Sequence, residues 1–113
     1  MGASKTNKQE LTSQRMMREV YLMTGSIKVL IADDNRDFCN ILRDFFSNNP
    51  DFELVDVCYN GLEVLETLNK KETDVLVLDL IMPHMDGIGV LEKMIDMTPR
   101  PKIIILTAFG QEN

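Results

Sequence analysis

The sequence predicts an α/β protein built on a parallel sheet. Two apolar runs, Ile27 to Ala32 and Val75 to Leu78, are rich in Val, Ile and Leu. A strand covered on both faces requires such a run. Each run closes on acid, Asp33-Asp34 after the first and Asp79 after the second. Further strands alternate with stretches of helical period, the pattern of βαβ units, and right-handed crossovers set the handedness. In open α/β sheets, ligand chemistry gathers beyond the carboxyl ends of the strands, where strand order reverses. The acids at these two strand ends are therefore expected to meet in one crevice.

The elements follow in order. Ile27 to Ala32 forms the first strand. Asn35 to Asn48 places Phe38, Ile41, Leu42, Phe45 and Phe46 on one helical stripe. Asn35 caps that helix, Asp37 suits its positive end, and Asn48-Asn49-Pro50 stops it. Phe52 to Cys58 is the second strand. Asn60 with Glu63 three residues on predicts a capping box for a helix ending near Lys70, whose stripe is Leu62, Leu65 and Leu68. Asp74 to Asp79 is the third strand. After the turn from Pro83 to Gly87, Ile88, Leu91, Met94 and Ile95 mark a third helix, ended by Thr98-Pro99 and Pro101. Ile103 to Leu106 is a fourth strand, leading into Thr107-Ala108.

Residues 1–26 have a different character. Met1 to Gln9 is small, polar and lysine-bearing, as disordered tails are. Glu10 to Met23 has the thin stripe of a weak helix through Leu11, Met17, Val20 and Tyr21. The expected division is an N-terminal extension over 1–26 and one domain over 27–113, since 113 residues allow a single domain. The net charge of −6 argues against non-specific binding to nucleic acid or anionic membrane. No apolar run approaches the roughly 20 residues that span a bilayer. Neither is there a secretory signal pattern, so a cytoplasmic protein is expected. Cys39 and Cys58 lack metal-ligand spacing and read as two reduced thiols.

The chemistry lies at the strand ends. Asp33, Asp34, Asp79 and Thr107 end the first, third and fourth strands and should share one edge of the sheet. A carboxylate attacks phosphorus to give an aspartyl phosphate. Magnesium, which favours carboxylates, carbonyls and water, would neutralise the charge on the transferring group, and a hydroxyl such as that of Thr107 would bond a phosphoryl oxygen. Clustered carboxylates without a cation repel, and at least one pKa rises. Taken singly these residues say less. Asp33-Asp34 alone reads first as a capping or solvated pair, Asp79 alone fits a structural role as well as a functional one, and Thr107 alone says almost nothing. Together, at successive strand ends, they specify a site. His84 reads as a polar turn residue rather than a phosphohistidine, and the eight methionines as core filler.

These residues resemble the receiver domains of two-component response regulators. The matching pieces are Asp33-Asp34, the segment from Val77 to Gly87, and Leu106-Thr107-Ala108. Ala32 to Arg36, Tyr59 to Gly61, Ile81 to His84 and Leu106 to Glu112 look like the receivers of sporulation master regulators within that family. The resemblance implies a flavodoxin-like (βα)5 receiver fold with a parallel sheet, about four strands and three helices of it lying within this chain. It implies Asp79 as phosphoacceptor and Thr107 as switch hydroxyl. It also implies a divalent cation, Mg2+ with Ca2+ or Mn2+ as alternatives, held by Asp33, Asp34, Asp79 and the backbone carbonyl of Ile81. Asp34 would be the direct ligand of the acidic pair. The implied donor is a histidine-containing phosphotransferase or sensor kinase. DNA would be reached only through a C-terminal effector domain, and receiver dimers are a further implied association. The module is a signalling element rather than an enzyme.

The sequence also departs from that pattern. Receivers continue through a helix, a fifth strand with a lysine that contacts the phosphoryl group, and a last helix. None of these follows Asn113 here, so the expectation is a receiver truncated at its C-terminus, with the Ile103 to Leu106 strand as a bare edge. Two other readings stand beside it. A metal-dependent aspartyl phosphatase would carry two aspartates one residue apart in one loop, whereas these acids adjoin or stand alone. A non-phosphorylated interaction fragment would dispense with the lysine. A flavin-binding fold is disfavoured, because no Ser/Thr/Gly-rich phosphate loop follows the first strand.

Overall fold

The structure is a computed structural model and describes residues 15–17 and 25–106. From residue 25 to 106 strands and helices alternate: β1 (Ile27–Ala32), α1 (Arg36–Ser47), β2 (Phe52–Cys58), α2 (Gly61–Lys70), β3 (Val75–Asp79), α3 (Gly87–Met94) and β4 (Lys102–Leu106). Residues 15–17 are helical as well. The strands form one parallel sheet in the order β2-β1-β3-β4. This is the flavodoxin-like arrangement expected from the sequence. The chain leaves β1 for β2 on one side and returns to β3 on the other, so strand order reverses between β1 and β3.

The two faces of the sheet carry separate cores. Val29, Ile31, Val57, Val75 and Val77 pack with Cys39 on the α1 side. Leu30, Ala32, Leu76 and Leu78 pack with Val64, Val90 and Met94 under α2 and α3. Along β2, Leu54 and Val57 both belong to the α1 side although they stand three positions apart. Alternation alone would send them to opposite faces. The register explains this: Val29 pairs with Leu54 and Leu30 with Asp56, so Val55 is an extra, bulged residue.

Helix caps match the sequence closely. The Asn35 side chain accepts from the Phe38 amide at 3.0 Å, and that of Asn60 accepts from Glu63 at 2.9 Å. The Glu63 carboxylate reaches back one residue further than a capping box requires and accepts from the Tyr59 amide at 2.8 Å. The apolar stripes differ from expectation. In α1, fully buried Cys39 with half-buried Leu42 and Phe46 faces the sheet, while Ile41 and Phe45 are 65% and 56% exposed. In α2 Val64 turns inward and Leu62 outward; in α3 Val90 and Met94 are buried, and Ile88 lies exposed, as does Ile95 at its end. Small and β-branched residues take the close contacts because α2 and α3 approach each other and the sheet tightly. Bulky neighbours one position away are left outside. The expected weak helix over Glu10 to Met23 lies outside the described residues except for 15–17. Among the described residues no helix is long and apolar enough to cross a membrane.

Candidate functional site

Ala32 pairs with Leu78 across β1 and β3, so the residues that follow, Asp33 and Asp79, leave the sheet side by side at the reversal point. Neighbouring strands lie about 4.8 Å apart. Asp33, Asp34 and Asp79 each place a carboxylate oxygen within 4.8 Å of the others. Asp33 is buried at 7% exposure, Asp79 is half-buried and Asp34 exposed. The site therefore runs from a dry floor to an open mouth.

Each acid is held by backbone. The Asp33 amide donates to Cys58 O at 3.0 Å, continuing the ladder one step past β1. Its Oδ1 accepts from the Asn35 amide at 2.9 Å. The Cys39 thiol donates to the Asp33 carbonyl at 3.1 Å. Asp79 Oδ1 accepts from the Ile81 amide at 3.1 Å. Behind Asp79, the Gly87 amide donates to Leu80 O at 2.9 Å, and the Gly61 amide to Met85 O at 2.8 Å. These bonds tie the loop from Leu80 to Asp86 to the starts of α3 and α2. His84 sits on that loop, exposed, at φ 67°.

Burial raises the pKa of Asp33 above the usual carboxylate value of 3.8; the Asn35 amide opposes the rise, and the charges of Asp79 and Asp34 add to it. The same burial, with Asp33 close by, raises the Cys39 thiol, so it stays protonated and able to donate. Cys58, packed under α2 beside Thr67, is pushed up to about 11, chiefly by burial. Three converging oxygen donors, one of them dry and driven toward protonation, suit a hard divalent cation, which would take the proton's place.

A pH dependence follows. Native Asp33 binds its proton more tightly than the unfolded chain does. In cation-free buffer stability is therefore greatest below 3.8 for this group, and falls as pH rises through the raised native value. Asp33→Asn keeps an acceptor for the Asn35 amide and removes the charge. It is expected to flatten that slope and raise the neutral-pH melting temperature, as thermal melts across a pH series will show. An unchanged slope would place the proton elsewhere.

The structure brings together Asp33, Asp34 and Asp79 as expected, and sets Ile81 two residues beyond Asp79 with its side chain 73% exposed. Thr107 lies outside the described residues. Cys39 was not read from the sequence as part of this site. The signal for it was the spacing of Cys39, Leu42 and Phe46, a second helical stripe beside the bulkier one.

A family model for the response regulator receiver domain matches residues 29–113. The chain belongs to that family. Solved receivers share its fold. The receiver of Thermotoga maritima CheB is 28% identical at a TM-score of 0.68, with 78% of this chain and 65% of that one covered. The receiver of the Francisella response regulator 1452 is 32% identical at 0.65, over 75% of this chain and 69% of that one. Salmonella typhimurium RcsB, described for its conformational dynamism in DNA interaction, is 27% identical at 0.65 over 73% of this chain. The receiver chain spans only 42% of RcsB's length.

Proposed function

We propose that this receiver is the phosphoacceptor module of a cytoplasmic phosphorelay response regulator, with Asp79 as the acceptor. The supporting observation is the meeting of Asp33, Asp34 and Asp79 within 4.8 Å at the reversal point of the sheet. The Asp79 oxygen that the Ile81 amide does not hold attacks the phosphorus of a phosphohistidine. The P–N bond breaks as the P–O bond forms, and the imidazole leaves with the electron pair and takes a proton. The Ile81 amide fixes Oδ1 so that the other oxygen faces the incoming group. Thr107 is the switch hydroxyl, bonding a phosphoryl oxygen after transfer. A bound divalent cation, Mg2+ foremost, supplies charge neutralisation at the phosphoryl group. Asp33, Asp34, Asp79 and the Ile81 carbonyl are assigned to hold it.

The donor is a histidine-containing phosphotransferase or sensor kinase. The output is transcription control at the onset of sporulation through a C-terminal DNA-binding domain, in the manner of stage zero sporulation protein A. The support for that finer reading is the resemblance of Ala32 to Arg36, Tyr59 to Gly61, Ile81 to His84 and Leu106 to Glu112. Acetyl phosphate with Mg2+ tests the central claim. One acid-labile phosphoryl group per chain by intact mass is expected, and none in EDTA. Labelling that ignores EDTA would overturn the reading.

The two acids at the end of β1 should differ in their hold on the cation. Asp33 already accepts from Asn35, whereas the exposed Asp34 carboxylate accepts no hydrogen bond among the described residues. Asp34→Ala is expected to remove measurable Mg2+ binding by calorimetry. Asp33→Ala should weaken it by about 10–100-fold, the range for groups that orient a ligand set. The reverse ranking would make Asp33 the direct ligand.

A further inference from the structure

Two cations share one aromatic ring beside the acidic mouth. The Arg36 guanidinium lies 3.9 Å from the centre of the Tyr59 ring. Arg43, about two turns further along α1, donates to the Tyr59 hydroxyl at 3.3 Å. Both arginines are exposed, and the ring is half-buried against the α1-side core. The backbone beneath the ring is fixed on both sides. Cys58 O, just before it, accepts from the Asp33 amide at 3.0 Å, and the Tyr59 amide donates to the Glu63 carboxylate at 2.8 Å. Tyr59 therefore stands at the end of β2, next to the strand whose end carries Asp33 and Asp34.

Arg36 is the first residue of α1 and follows Asp34 by two positions. Their Cα atoms lie no more than about 7.6 Å apart, two steps of roughly 3.8 Å. A guanidinium on so long a stem is able to close on the Asp34 carboxylate as a bidentate pair. It does not. Among the described residues the ion pairs are Lys28 with Glu72, Lys70 with Glu66 and Lys71 with Asp56, none of them at the mouth. The Arg36 guanidinium lies on the Tyr59 ring instead, whose negative face attracts it. Among the described residues, then, no internal cation is paired with Asp34, which stands with Asp33 and Asp79 in the acidic cluster.

We propose that Tyr59 is a positioning residue for the cation site: its ring holds the Arg36 guanidinium off Asp34 and so keeps the acids open to a divalent cation. The proposal rests on the cation-binding reading of the three acids given above. Without the ring face, Arg36 turns to Asp34 and competes as a resident positive charge. Mg2+ must then break an exposed ion pair and settle near a second cation. The expected loss is about five- to tenfold in affinity.

Calorimetric titration of the full chain with Mg2+ alone tests it, beside NMR of the cation-free protein. In the parent, the ring current should shift the Arg36 side-chain protons upfield. Tyr59→Leu keeps the apolar packing and removes the ring face. It should return those protons to their ordinary positions and weaken Mg2+ binding by about five- to tenfold. Tyr59→Phe should match the parent in both readouts. The double variant Tyr59→Leu/Arg36→Gln should bind Mg2+ at least as tightly as the parent. That recovery separates a restrained charge from a merely structural loss, which removing Arg36 would not repair. Tyr59→Leu binding as tightly as the parent, a double variant as weak as Tyr59→Leu, or no upfield shift in the parent would each overturn this proposal and leave the phosphoacceptor reading in place. A parent that binds no Mg2+ would overturn both. Arg36→Gln alone should bind no more weakly than the parent, and weaker binding there would overturn the proposal even if Tyr59→Leu unfolds.

Discussion

Replacing Asp79 with Asn will bring phosphoryl incorporation from acetyl phosphate and Mg2+ down to background. The substitution is nearly isosteric. An amide oxygen still accepts from the Ile81 amide, which holds Oδ1 at 3.1 Å in the parent, so the loop beyond β3 keeps its anchor. What disappears is the second carboxylate oxygen, the proposed nucleophile. Asp33 and Asp34 remain close by but do not take over. Asp33 is buried and partly satisfied by Asn35, and Asp34 is assigned to the cation. A loss of about 100-fold or more is expected, equivalent to roughly 2.7 kcal/mol of barrier. Intact mass before and after acid treatment reads it. The same change relieves charge crowding around Asp33, so the variant should melt above the parent in cation-free buffer. A variant that labels as fast as the parent would move the acceptor to another acid.

The strand ends of this receiver were legible from sequence, and its helix faces were less so. β1 and β3 are buried on both sides, and a parallel strand in that position must be apolar throughout. Their limits, and the acids just beyond, therefore stand out. The caps Asn35 and Asn60 were legible because their partners lie three residues away. The helix faces depend on distant packing instead. α1 carries two adjacent apolar stripes, and periodicity cannot choose between Phe38-Ile41-Phe45 and Cys39-Leu42-Phe46. The sheet took the second, where a small thiol lets the helix approach closely enough to bond the Asp33 carbonyl. Leu62 and Ile88 were misplaced for the same reason, because Gly61, Val64, Gly87 and Val90 form the tight contacts of α2 and α3. The raised pKa of Asp33 was foreseeable as crowding of charge. Its assignment to Asp33 required the burial that only the folded chain provides. The bulge at Val55, which brings Leu54 and Val57 to one face, leaves no local mark in a run of plain strand formers.

Gly87→Ala is expected to be strongly destabilising. A Cβ at position 87 would stand 2.5 Å from the Asp79 carbonyl oxygen and 2.7 Å from Leu80 Cα. Both are backbone atoms, and neither can rotate away. Relief requires the start of α3 to withdraw from the end of β3, which strains the bond from the Gly87 amide to Leu80 O. Overpacking of this kind costs about 1–3 kcal/mol. The upper end applies here because no flexible side chain can yield. For a domain of this size that corresponds to a fall of roughly 12–24 °C in Tm, a large share of the about 5–15 kcal/mol that a native protein holds. Gly89 provides the control. A Cβ there would meet the Met85 side chain at 2.8 Å, and a methionine can shift. Gly89→Ala should therefore lose less stability than Gly87→Ala. Because Gly87 abuts the residue that carries the proposed acceptor, Gly87→Ala should also slow labelling of Asp79 at temperatures where it remains folded, while Gly89→Ala should not. Equal melting of the two variants would mean that α3 and β3 are not in the contact on which the position of Asp79 depends.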